Sequence, residues 1–191
     1  MVHLWLRSRS TGKALVLVAT TIGLFVLTAG WQFHLPNQAG QWSQLAVLLP
    51  VALGSFLPAM TASIHHDMER LATRPLGGYR LVHIITLLAA SAAGIAAVTA
   101  QMPVGYFNTA SVLRNAALLV GVGLCLAPWM GARRAWIPAL VYAVVALVVP
   151  TQEFAPSWNL LLQPGHTTSA TVAAAGSLMA GLMITAWRDP C

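Results

Sequence analysis

The stretch TASIHHDMERLATRPLGGYR, residues 61–80, is a polar segment between two long apolar runs, and it holds three of the ten Lys and Arg residues. Within it Ile64, Met68 and Leu71 recur at i, i+4 and i+7. This spacing predicts a short amphipathic helix with one apolar face. The apolar face either docks on a cytosolic partner or lies in the lipid interface. A helix of this kind between two apolar runs is typical of a loop that joins two membrane spans.

The composition of the whole chain supports a membrane setting. Of 191 residues, 58% are hydrophobic and only 7% are charged, and the mean hydropathy is +0.73. Soluble domains carry about 25% charged residues. We therefore predict an all-α integral membrane protein. The pI near 10.4 does not indicate a nucleic-acid partner, because the charges lie in short clusters between apolar runs.

Six apolar runs predict six transmembrane helices in a single domain. Their expected bounds are about residues 14–33, 42–60, 81–101, 112–130, 136–150 and 170–187. The fifth run is short for a membrane span. Residues 2–10 precede the first span and predict a short amphipathic elbow on the inner membrane surface. The competing interpretation is a signal peptide that ends near Gly30.

The basic residues predict the orientation of these spans. If both termini are cytoplasmic, nine of the ten basic residues face the inner side, and only Arg114 lies toward the outside. Cytoplasmic loops of membrane proteins are enriched in Lys and Arg in the same way. The seven Trp residues lie near span ends or in loops, where amphipathic rings prefer to sit. We expect a multi-pass protein of a bacterial plasma membrane.

Small residues recur at every fourth position in two of the predicted spans. The third span has Ala89, Ala93 and Ala97, and the sixth span has Ala173, Ser177 and Gly181. Small residues at this spacing let helix backbones approach closely in lipid. The two sets serve either packing within the bundle or a dimer seam.

The sequence carries no convincing catalytic constellation. No predicted span contains an acidic residue, and the chain lacks a phosphate-binding glycine loop, so it cannot hydrolyse a nucleotide by itself. We expect no cofactor and no resident metal. A weaker alternative is a small membrane redox enzyme that uses His65, His66 or His83. The two cysteines, Cys125 and Cys191, predict no disulfide.

Arg114 is the one candidate charge inside a span, near its outer end. Either its side chain snorkels to the outer surface, or it forms an ion pair with Glu153 in the loop after the fifth span. The second interpretation would join two outer elements of the protein.

The order of these parts resembles that of the membrane subunits of ABC-2-type exporters. In that family an amphipathic elbow precedes six spans, a cytosolic coupling helix follows the second span, and a helical segment lies outside before the sixth. Here the corresponding parts are residues 2–10, 63–74 and 151–169. The resemblance covers nearly the whole chain as an order of elements, without a sharp sequence motif. The residues that it assigns to coupling are Ile64, Asp67, Met68, Glu69, Arg70, Leu71 and Arg74.

The resemblance implies specific partners and an activity. Two membrane subunits, alike or unlike, would pair to form a translocation pathway, and a separate ATP-binding subunit would dock on the 61–80 loop. Because the predicted spans carry no charge apart from Arg114 near an outer end, the pathway suits a hydrophobic or amphipathic substrate such as a peptide, lipid or antibiotic. The alternative is a non-transporting accessory or immunity subunit of the membrane.

Overall fold

The computed structural model describes residues 11–27, 32–34, 42–44, 49–60, 77–100, 109–131, 133–148, 160–161, 163 and 167–187. These residues form six α-helices and one small two-stranded ribbon. The helices are α1 Thr11–Leu27, α2 Leu49–Met60, α3 Gly77–Thr99, α4 Thr109–Met130, α5 Trp136–Val148 and α6 Thr168–Trp187. The strands are β1 Gln32–His34 and β2 Trp42–Gln44.

Three of the described helices are long and apolar enough to cross a membrane. They are Arg80–Thr99 within α3, all of α4 and all of α6. The helices α1, α2 and α5 are apolar but shorter, with 17, 12 and 13 residues. A helix of 12 residues rises about 18 Å, less than the hydrocarbon core of a bilayer. The predicted all-helical class is therefore confirmed, and the three long apolar helices are consistent with a membrane protein. Six complete spans and cytoplasmic termini stay predictions.

The first two predicted spans differ from the structure at their facing ends. We expected helices over 14–33 and 42–60, but the strands β1 and β2 pair antiparallel there, with Gln32 opposite Gln44. The sequence between the strands contains Pro36 and Gly40, which disfavour a continuing helix. Once the chain leaves the helix, its backbone N–H and C=O groups need other hydrogen-bond partners, and the pairing of β1 with β2 provides them.

Helix α4 lies at the centre of the bundle and packs against α2, α3, α5 and α6. Buried residues lie on most of its circumference, as expected of a helix at the centre of a bundle. They are Ser111, Val112, Arg114, Asn115, Ala116, Leu118, Leu119, Val120, Gly121, Gly123, Leu124 and Ala127.

Helices α2 and α4 run in the same direction. Gly54 of α2 lies against Leu119, and Pro58, one turn later, lies against Gly123. One turn forward along α2, from Gly54 to Pro58, corresponds to one turn forward along α4, from Leu119 to Gly123. The two helices are therefore parallel. At Gly54 an added Cβ atom would lie 2.5 Å from the Cβ atom of Leu119, so only glycine permits this approach.

Helices α4 and α6 are also parallel and touch through glycine. A Cβ atom added at Gly121 would lie 2.5 Å from the backbone nitrogen of Leu178 and 2.5 Å from the carbonyl carbon of Ser177. One turn later, a Cβ atom added at Gly181 would lie 2.8 Å from the Cβ atom of Leu124. Close approach at small residues is the usual way in which helices associate in lipid.

The chain must return between these parallel helices. The hydroxyl oxygens of Thr99 and Thr109 are 2.7 Å apart, so the end of α3 meets the start of α4 and the two helices are antiparallel. Helix α5 and the residues that follow it carry the chain back from the end of α4 to the start of α6. An alternation of directions is what successive membrane crossings require.

The two predicted sets of small residues lie in different surroundings. Ser177 and Gly181 face α4 within the same chain, and Ala173 is half-buried. In α3, by contrast, Ala89, Ala93 and Ala97 are all exposed. The α6 set therefore packs within the bundle. A dimer role for either set stays a prediction.

Candidate functional site

Two features of α4 form the candidate site: a buried polar cluster near its start and an apolar cavity along its middle. The polar cluster centres on Arg114, which is 7% exposed, and Asn115, which is 3% exposed. The Nη2 atom of Arg114 donates to the carbonyl oxygens of Gln163 at 2.8 Å and Leu160 at 3.2 Å. Its Nε and Nη2 atoms also donate to Oδ1 of Asn115, at 3.2 and 3.0 Å.

The neighbouring groups complete this cluster. The Nδ2 atom of Asn115 donates to the carbonyl oxygen of Leu161 at 2.8 Å, and the amide of Leu160 donates to the hydroxyl of Tyr142 on α5 at 3.1 Å. We call Arg114, Asn115 and Tyr142 the polar clasp. Residues 160, 161 and 163 lie outside the helices, so their backbone groups need such partners where water is scarce. The clasp supplies them and holds this segment against α4 and α5.

Only part of this arrangement was predicted from the sequence. Arg114 was expected either to snorkel to the outer surface or to pair with Glu153, whereas its guanidinium lies among the backbone carbonyls of Leu160 and Gln163. Glu153 lies outside the described residues, so that pair stays a prediction. The missed signal is the Arg114-Asn115 doublet, since two buried polar side chains at the start of a span need acceptors and donors nearby.

An apolar cavity of about 250 Å³ lies between α2, α3, α4 and α6. Its only described polar side chain is Ser91, whose hydroxyl donates to the carbonyl oxygen of Leu87 at 2.8 Å. The cavity therefore offers a ligand almost no hydrogen-bonding group, and an apolar space of this kind admits apolar groups rather than water. Its lining is Leu53, Leu57, Leu88, Ser91, Ala92, Ile95, Leu113, Ala116, Ala117, Val120 and Leu178.

Most of the remaining predicted site residues fall outside the part of the chain that the structure describes. All seven predicted coupling residues, Ile64 to Arg74, fall outside the described residues, and so do His65 and His66. His83 is described and is 1% exposed within α3. Among the described residues, no group of three or more His, Cys, Asp or Glu side chains could hold a metal ion.

No protein-family model, curated protein sequence or solved structure matches this chain. Its function must therefore be inferred from the sequence and from the geometry of the site.

Proposed function

We propose that this chain is the membrane subunit of an ATP-driven exporter that carries a hydrophobic or amphipathic substrate. The observation that carries the proposal is the apolar cavity between α2, α3, α4 and α6. ATP hydrolysis would reside in a separate cytosolic subunit docked on the 61–80 loop, and two membrane subunits would form the pathway.

The position of the loop supports coupling to the cavity. Helix α2 ends at Met60 and α3 begins at Gly77, so residues 61–76 connect two of the four helices that line the cavity. Leu57 on α2 and Leu88 on α3 are both lining residues. A displacement of the loop by a partner would therefore act directly on two cavity walls.

The cavity also narrows the substrate class. At about 250 Å³ it is smaller than most ligand pockets, which measure about 300–1,000 Å³. It accommodates the apolar part of a larger molecule, such as a segment of an acyl chain or one ring system. The described helices carry no acidic residue, and no described cation lines the cavity. A lipid or lipid-like antibiotic therefore fits better than a sugar or an ion.

The first experiment tests the coupling loop. The tagged chain is purified from native membranes and the preparation is assayed for ATP hydrolysis. Replacing Ile64 and Met68 by Asp should remove the co-purifying ATPase activity, because a carboxylate on the apolar face disrupts docking. The matched control is Thr73→Asp, which lies on the opposite face of the predicted helix and should retain the activity. Retained ATPase in the double variant would refute docking at this face.

The second experiment tests the cavity. Ala92→Phe fills the cavity, and the proposal expects it to abolish substrate-stimulated ATP hydrolysis while basal hydrolysis persists. The control is Ala96→Phe, one turn further along α3, where the residue is exposed and outside the lining. If both variants respond to substrate equally, the cavity is not part of the pathway.

A second candidate is a non-transporting accessory subunit. The close helix packing at Gly54 and Gly121 favours it, because a Cβ atom added at either glycine would lie 2.5 Å from an atom of the neighbouring helix. Such close packing opposes sliding of α2 and α6 along α4. Under this alternative a partner co-purifies without ATPase activity, and Ala92→Phe changes no activity of the complex.

A further inference from the structure

An open apolar groove lies where α4 and α6 end together. Its volume is about 460 Å³, and its lining among the described residues includes Trp129, Met183, Ile184 and Trp187. Three of these side chains are strongly exposed: Trp129 at 64%, Met183 at 59% and Trp187 at 87%. In a membrane protein, exposed apolar side chains of this kind face lipid, and their grouping around one groove provides a concave surface for an acyl chain.

The groove follows from the way in which the two helices pack. They touch at Gly121 and Gly181, where no side chain separates the backbones. About two turns after Gly121, α4 carries the large side chain of Trp129 instead of a glycine. Near its own end, after Gly181, α6 carries the large side chain of Trp187. Two bulky rings cannot approach as glycines do, so the α4 and α6 ends leave a space between them.

Basic residues lie at the same end of the bundle. Helix α4 ends at Met130, and Gly131 follows with a positive φ of 79°. The amide of Arg134 donates to the carbonyl oxygen of Gly131 at 3.0 Å, which turns the chain tightly towards α5. Arg133 and Arg134 are both exposed on this turn. The short turn keeps their charges close to the end of α4 that carries Trp129.

We propose that this groove binds an anionic phospholipid. The phosphate of the headgroup lies near Arg133 and Arg134, and an acyl chain lies in the groove between Trp129 and Trp187. Tryptophan rings prefer the depth of the headgroups, and basic clusters at helix ends attract anionic lipids. The flexible Met183 side chain adapts to an apolar chain. The charges favour this occupant over a second copy of the protein, whose matching surface would carry the same cations.

The experiment measures lipid retention by the full chain. The purified protein in detergent is titrated with phosphatidylglycerol or with phosphatidylcholine of identical acyl chains, and bound lipid is counted by native mass spectrometry. We expect the wild type to prefer phosphatidylglycerol. The double variant Arg133→Gln/Arg134→Gln should lose this preference, by about fivefold in affinity for each arginine.

The apolar half of the site has its own matched pair of variants. Met183→Ala should weaken retention of both lipids, whereas Met179→Ala, at the same 59% exposure on α6 but outside the groove, should not. Far-UV circular dichroism checks that each variant keeps its helices.

Three outcomes would overturn the proposal. The first is an unchanged preference for phosphatidylglycerol in the double arginine variant. The second is equal lipid retention in the two methionine variants. The third is a change of oligomeric state in Met183→Ala without any change in lipid binding, which would identify the groove as a contact between copies of the chain.

Discussion

Gly121→Ala offers the sharpest test of the packing on which the cavity depends. The added methyl group would lie 2.5 Å from two backbone atoms of α6, the nitrogen of Leu178 and the carbonyl carbon of Ser177. Backbone atoms cannot move aside as the end of a side chain can, so α6 must shift away from α4. Overpacking of this kind costs about 1–3 kcal/mol.

A second effect of the substitution acts in the opposite direction. Alanine is favoured over glycine within a helix by about 0.5–1 kcal/mol. Gly176→Ala isolates this gain, because Gly176 is exposed on α6 and has no atom within 4 Å of the added methyl group. We therefore expect Gly176→Ala to be slightly stabilising and Gly121→Ala to be destabilising. Both variants share the helix-propensity gain, so the difference between them is the overpacking cost of about 1–3 kcal/mol.

The assay is reversible unfolding of the purified protein by SDS in mixed micelles, followed by circular dichroism. The midpoint for Gly121→Ala should fall below that of the wild type, and the midpoint for Gly176→Ala should rise or stay unchanged. If the two variants are equally stable, the close contact between α4 and α6 is wrong, and so is the parallel arrangement derived from it.

Several further measurements test the polar clasp and the topology. Arg114→Gln should lower the free energy of unfolding by about 2 kcal/mol in the same SDS assay, because it removes charged donors from two carbonyls. The exchange Arg114→Glu/Glu153→Arg should not restore the stability of the wild type, because a carboxylate at position 114 cannot donate to the carbonyls of Leu160 and Gln163. Recovery of stability would instead support the predicted ion pair. Tyr142→Phe should cost about 0.5–1.5 kcal/mol through loss of the acceptor for the Leu160 amide, and an unchanged midpoint would argue against that bond. Ser63→Cys should react with a membrane-impermeant thiol reagent only from the cytosolic side, and labelling from outside would contradict the predicted orientation.

Much of the fold could be predicted from composition and periodicity. The three long helices α3, α4 and α6 agree closely with the predicted spans 81–101, 112–130 and 170–187. Long apolar runs dictate helices locally, since a backbone in lipid must satisfy its own hydrogen bonds. The prediction failed where the first two spans face each other. The apolar residues Phe33, after α1, and Trp42, before α2, were assigned to the helices but lie in the strands β1 and β2. Hydropathy does not distinguish a helix from a short hairpin there.

The candidate site depended on contacts that hydropathy cannot reveal. Arg114 was recognised as unusual, but its bonds to Leu160 and Gln163 join residues more than forty positions apart in the chain. The cavity likewise arises from side chains on four helices, and no single segment carries its pattern. The predicted small residues Ser177 and Gly181 turned out to lie against α4, although their spacing alone suited a dimer equally well.

The sequence by itself determined that this chain forms long apolar helices and that most of its cations lie between the apolar runs, because both depend only on the hydropathy of local segments. Only the tertiary structure decided which helices touch. It placed α4 at the centre, brought the glycines of α4 and α6 together, and left apolar space beside them. Lipid solvates every apolar face about equally, so helix pairing is decided by shape and by a few hydrogen bonds between distant residues.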